Sequence, residues 1–133
     1  MGQPAAKQGD QIVGADIHIV MVPSPPGAPV PTPLPHPFIG IINGNLSNNV
    51  NIMGKPAAMV DSTADNIPPH IPTPPGVSFQ KPPGNKATIK IGSALVKING
   101  RMAARLGDNA LTCNDPADLP TGTVMATGTV FIG

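Results

Sequence analysis

The chain has 133 residues, enough for one domain, and a formal charge of +1 with few charged side chains and no basic run. With three Phe, no Tyr and no Trp, it has neither the cationic face nor the stacking platform that a nucleic-acid partner requires. Nineteen Pro and fifteen Gly fill roughly a quarter of the sequence, a level that signals disorder unless a repeat organises the chain.

A repeat does organise it. Val96 to Asp108 reads VKINGRMAARLGD, Val50 to Ala58 reads VNIMGKPAA, and Gly2 to Asp10 reads GQPAAKQGD. The last four residues, Val130-Phe131-Ile132-Gly133, supply the V-x-I-x half that the first copy lacks. The copies therefore close into a ring when the two chain ends meet. Such self-similarity points to a stacked or ring-like architecture, here one domain over 1–133 with repeats of about 1–49, 50–95 and 96–133.

In chain order, Pro4 and the small pair Ala5-Ala6 lead to a Gly9-Asp10 turn. Gln11 to Val22, QIVGADIHIVMV, is rich in β-branched residues and partly alternating, which predicts a strand holding His18. Residues 23–37 read PSPPGAPVPTPLPHP. Proline has no N–H to give, so this stretch is expected to be neither helix nor central strand. A stiff polyproline strap that carries His36 across the surface is predicted; the alternative is an exposed linker or a docking peptide for a Pro-binding groove. Phe38 to Asn43 reads as a strand turned by Gly44-Asn45, and Asn48 to Met53 as a second.

Met59 to Asn66 is the one helix-permissive segment, and PPHIPTPPG after it is a second Pro-rich stretch carrying His70. Ala87 to Ile91 and Leu95 to Asn99 read as a β-hairpin. Cys113 lies among turns, and Thr121 to Gly133 closes the chain as a final pair of short strands. The expected fold is all-β, with little or no helix.

The repeats give the His and Cys positions meaning. His18 follows Asp10 by eight residues, His70 follows the aligned Ser62 by eight, and Cys113 follows Asp108 by five. Each copy thus places one metal-ligand type in the loop after its Ala-Ala unit, and His36 can supply a fourth. Histidine with cysteine suits tetrahedral Zn²⁺, and a site closed by four protein ligands is structural. A zinc would also tie down a core built only from small aliphatics. Taken singly, each of these residues is an ordinary buried or surface side chain; the matching offsets carry the metal reading.

An enzyme is not expected. The seven acidic residues are all Asp, Asp16 and Asp115 among them, and are read mostly as turn formers. No nucleophile elbow or phosphate loop is present. No charged segment followed by an apolar run marks a secretory signal, and no apolar stretch approaches the ~20 residues of a membrane helix.

Taken together, the Pro-Ala-Ala-Lys…Gly-Asp unit, its two echoes and the His/Cys set resemble the PAAR-repeat family. The resemblance spans the whole chain. Lys7 stands where the family has Arg, Met59 occupies that place in the second copy, which also lacks Gly-Asp, and Met102 replaces Pro in the third. The resemblance implies a small cone-shaped, pseudo-threefold domain that caps and sharpens the trimeric β-helical spike of a contractile injection system. That system would be of the type VI secretion or phage-tail-like extracellular kind.

It implies one structural zinc near the point of the cone, held by His18, His36, His70 and Cys113. It implies a monomer seated by its base on a homotrimeric spike of the valine-glycine-repeat type. Effector cargo and transient contact with a target membrane would follow. Such a protein would be made in the bacterial cytoplasm without a signal peptide, assembled at the spike tip and ejected on contraction, with no toxin domain fused behind the third unit. The competing expectation is a Pro-rich adaptor that binds peptide-recognition domains.

Overall fold

A computed structural model describes residues 2–133. Among these residues there is no helix. The strands are β1 (Gln3–Pro4), β2 (Gln11–Val22), β3 (Val30–Gly44), β4 (Asn51–Ile52), β5 (Lys55–Pro56), β6 (Thr63–Asn66) and β7 (Ser78–Phe79). They continue with β8 (Lys86–Ile89), β9 (Lys97–Ile98), β10 (Arg101–Met102), β11 (Asn109–Thr112), β12 (Leu119–Met125) and β13 (Phe131–Ile132).

Six of them form a closed antiparallel barrel in the order β2-β3-β6-β8-β11-β12, with β12 returning to β2. Each repeat contributes two neighbouring staves: β2 with β3, β6 with β8, β11 with β12. Closure leaves no exposed edge along the paired lengths. The small β7 adds to the far end of β2, at Val20↔Phe79 and Met21↔Ser78.

One end of the barrel is plugged by the repeats themselves. The Ala6 amide donates to the Ala104 carbonyl, Ala104 to Ala58, and Ala58 back to Ala6, at 3.0–3.1 Å. A second set adds one bond within each repeat: Gly9 donates to Ile42, Asp61 to Ile89, and Gly107 to Val124. The alanine cycle and these equivalent bonds make a pseudo-threefold ring from one chain. Alanine is required there because side chains from three copies converge on the axis, and Ala6, Ala58 and Ala104 are all fully buried.

The neighbouring Ala5, Ala57 and Ala103 point to the other side of the plug, where they form a second apolar cluster with Ile52, Ile98 and Ile132. Above the plug the main core holds Ile12, Phe38, Ile42, Ile89 and Val124. Burying each such side chain is worth about 1.5–3 kcal/mol.

Each copy turns in the same way. The Asp10 and Asp108 carboxylates and the Ser62 hydroxyl accept from the amide three residues back, at 2.8–3.0 Å. The residue before each is left-handed: Gly9 (φ 91°), Asp61 (φ 79°) and Gly107 (φ 90°). The second copy thus keeps the turn without Gly-Asp.

Two sequence expectations change. First, the Pro-rich stretch is a strand from Val30 onward, paired with β2 from Val22↔Val30 to Gln11↔Ile41. Pro31, Pro33, Pro35 and Pro37 occupy odd positions. The odd residue Ile39 turns its amide and carbonyl to Asn66 and Ile67, and the Pro35 carbonyl accepts from the Thr73 hydroxyl. Odd residues of β3 therefore point their polar groups away from β2. The prolines sit where no ladder donor is needed, the one arrangement in which a strand tolerates them.

Second, Ala87–Ile91 does not form a hairpin with Leu95–Asn99. β8 pairs with β6 and β11, while β9 pairs with β10. Asn99 (φ 54°) and Gly100 (φ 80°) are both left-handed, as a two-residue hairpin turn demands, and this selects 97–102 as the hairpin. The expected final pair of strands within Thr121–Gly133 is present, as the end of β12 and β13. β12 closes the barrel against β2, and β13 pairs with β1, so the chain ends do meet. The helix-permissive 59–66 segment is a turn followed by β6.

Candidate metal centre

Strand periodicity builds the site. Alternate residues of a strand share a face, so Ile12, Asp16, His18 and Val20 of β2 all point into the barrel and are fully buried. On β3 the even residues do the same, which brings His36 and Phe38 inward. Asp16 and His36 are directly registered across the two strands.

Cys113 follows β11, and its loop is stitched along β2. The Ile17 amide donates to Asn114 Oδ1 at 2.7 Å, the Asp115 amide donates to the Ile17 carbonyl at 2.8 Å, and the Ile19 amide donates to Asp115 Oδ2 at 2.9 Å. His70 enters from the second Pro-rich segment, its amide held by Asn85 Oδ1 at 2.8 Å.

The donor atoms of Asp16, His18, His70 and Cys113 lie within 4.8 Å of one another. His70 Nε2 is 2.8 Å from Asp16 Oδ2, Cys113 Sγ is 3.3 Å from the same oxygen, and His18 Nε2 is 3.6 Å from the sulfur. The side chains of His70 and Asp16 are 2% and 0% exposed. Two imidazoles, a thiol and a carboxylate are donors that metal sites use, and this buried constellation is compatible with one.

Three of the sequence-predicted ligands, His18, His70 and Cys113, belong to this set, and His36 lies beside it. The His18 ring lies 5.4 Å from that of His36 and 5.0 Å from that of His70, and His36 and His70 are 5.5 Å apart. His36 differs from the rest in its hydrogen bonds. Its Nδ1 donates to the Leu34 carbonyl at 2.9 Å, and its Nε2 accepts from the Thr73 amide at 3.1 Å. Both ring nitrogens are thus committed to backbone.

Asp16 is the residue that sequence reasoning passed over. Its signal was present: it stands two residues before His18, on the same face of an alternating strand. The Asp16 carboxylate also accepts from the buried Thr112 hydroxyl.

Burial sets the electrostatics. Removal from water pushes the Cys113 thiol up to about 12, with the Asp16 charge adding to the effect. His18 and His36 are held below their ordinary 6.5, chiefly by burial; Asp115 opposes this at His18 and the Leu34 carbonyl opposes it at His36. All three groups are therefore disposed to be neutral, which leaves the His18 imidazole a lone pair for an added cation. Phe79 covers the cluster, its ring 5.8 Å from His18 and 5.4 Å from His36. A cleft of about 260 Å³ lined by Ile39, Ile67, Pro72 and Thr73 reaches His36 and His70 from outside.

Fold and site define a small closed β-barrel, plugged by a pseudo-threefold ring and carrying a buried His/Cys/Asp cluster suited to a metal. Compared with known families and curated proteins, the chain matches no family model and no curated sequence.

Proposed function

We propose that the protein is the tip of a contractile injection spike, a non-enzymatic cap seated by its plugged end on a trimeric β-helical partner. The observation that carries this reading is the ring of three Ala-Ala units. It presents one chain as three equivalent sectors, as a threefold partner requires. Beyond that ring Val50, Val96 and Val130 stand at equivalent positions, 36%, 37% and 40% exposed. Phe131, Leu95 and Met53 add further exposed apolar surface around them, of the kind that marks an interaction face.

One structural Zn²⁺ in the buried cluster completes the reading. His18, His70 and Cys113 hold it, and the fourth donor is Asp16 as the carboxylate now lies, or His36 once it releases Thr73. A filled four-ligand site leaves no position for substrate water, in keeping with a mechanical role. The adaptor reading needs a free polyproline ligand, whereas residues 31–37 are paired into β3.

Co-expression with a trimeric spike protein tests the proposal. One chain per trimer is expected in the purified complex. Replacing Val50, Val96 and Val130 together by Asp should abolish capture while metal content stays at that of the wild type. Capture that survives the triple substitution would sink the docking face.

A further inference from the structure

The three imidazoles of the cluster differ in what their outer nitrogens meet. His36 Nδ1 has the Leu34 carbonyl at 2.9 Å, and His70 Nδ1 has the Asn66 side-chain amide at 3.2 Å. His18 Nδ1 is buried and has no hydrogen-bond partner among the described residues. The group facing it is the Asp115 carboxylate, whose Oδ2 lies 3.6 Å away. Both side chains are almost wholly buried, at 1% and 5% exposed.

The approach is held from two sides. Asp115 is tied to β2 through the Ile19 amide at 2.9 Å and, by its own amide, to the Ile17 carbonyl at 2.8 Å. These bonds flank His18 on either side along the strand. The opposite nitrogen of the same ring, Nε2, faces Cys113 at 3.6 Å. The ring therefore lies between the cluster and a buried carboxylate. A buried donor nitrogen without an acceptor is costly, and closing the gap by a few tenths of an ångström makes the bond.

We infer that Asp115 is the positioning residue of the metal centre. It accepts the Nδ1 proton of His18, fixes the tautomer that leaves Nε2 free for the ion, and strengthens that nitrogen as a ligand. This inference rests on the reading of the cluster as a metal site. An outer carboxylate on a ligating histidine is a recurrent way of orienting the ring and raising its basicity, and its loss typically costs ten- to a hundredfold in metal affinity. It also explains why Cys113 and Asp115 share one short loop: the stitch that delivers the thiol to one side of His18 delivers the carboxylate to the other.

The test is competition of Zn²⁺, and separately Co²⁺, against a chelator in wild type, Asp115→Asn and Asp115→Glu. Asparagine retains an oxygen for the Ile19 amide but not the charge. A ten- to hundredfold loss of affinity is expected, with an unchanged Co²⁺ ligand-field spectrum and an unchanged thermal midpoint of the metal-free form. Glutamate, which restores the carboxylate, should recover most of the affinity. Affinity within twofold of wild type in the asparagine variant would overturn the inference. So would a glutamate variant as weak as asparagine, or a loss matched by a fall in metal-free stability. Wild-type protein that binds neither ion would overturn the metal reading itself, a result distinct from a loss confined to the variants.

Discussion

Asp16 and His36 face each other in register across β2 and β3, yet only the carboxylate of Asp16 joins His18, His70 and Cys113 within 4.8 Å. The two nitrogens of His36 are engaged by Leu34 and Thr73. The cluster thus has two neighbours able to complete a four-donor set, and hydrogen bonding to backbone distinguishes them.

Single substitutions separate the two. With the carboxylate where it lies, Asp16→Asn should remove most bound zinc, and Cys113→Ser should do the same. His36→Gln should retain about one ion per chain, as read by metal analysis on purified protein. Zinc lost from His36→Gln and retained in Asp16→Asn would show that His36 gives up the Thr73 amide to become the ligand.

The metal-free protein should be sensitive to pH on both sides. His18 and His36 are held below 6.5. As pH falls past 6.5 the unfolded chain binds protons that the folded chain does not, so stability drops with acidification. The Cys113 thiol is raised from 9.0 to about 12. Between those values the unfolded chain loses its thiol proton first, so stability drops again as pH rises above 9. Denaturant midpoints of chelator-treated protein at pH 5, 7 and 10 check both limbs. Zinc, which takes the thiolate, should abolish the alkaline limb.

The ring has no room for a larger side chain. Ala58 is fully buried, with its amide and carbonyl bonded to Ala6 and Ala104. Ala58→Leu should cost at least the 1–3 kcal/mol or so typical of overpacking, measured by urea denaturation. The reverse change at a surface position, Leu95→Ala, where the side chain is 84% exposed, should change stability by less than about 0.5 kcal/mol.

The second copy carries local strain. Asp61 stands at φ 79° where its counterparts are Gly9 and Gly107. Its ion pairs with Arg101 and Lys90 lie among half-exposed side chains, where such pairs contribute little. Asp61→Gly should therefore raise stability by about 1 kcal/mol. A loss of stability would mean that the ion pairs, and not the backbone, govern this turn.

Much of this architecture was legible in the chain. The Ala-Ala units and the V-x-I-x strands are local, and β2 runs over the same Gln11–Val22 span that its β-branched residues predicted. The offsets of His18, His70 and Cys113 from their turns also foretold that they would meet. Partner choice between strands was not legible. The pairing of β12 with β2, and of β8 with β11 instead of β9, depends on contacts far apart in sequence.

What the sequence by itself determined is a threefold repeat of small strands with His18, His70 and Cys113 at set distances after their turns, because these follow from local composition and spacing. Only the tertiary structure decided that prolines 31–37 could lie within a strand, since a missing N–H matters only on the side that faces a partner. It also decided that Asp16 would sit inside the barrel beside His18. Register determines which alternate residues face inward, and a shift of one residue would have turned both outward.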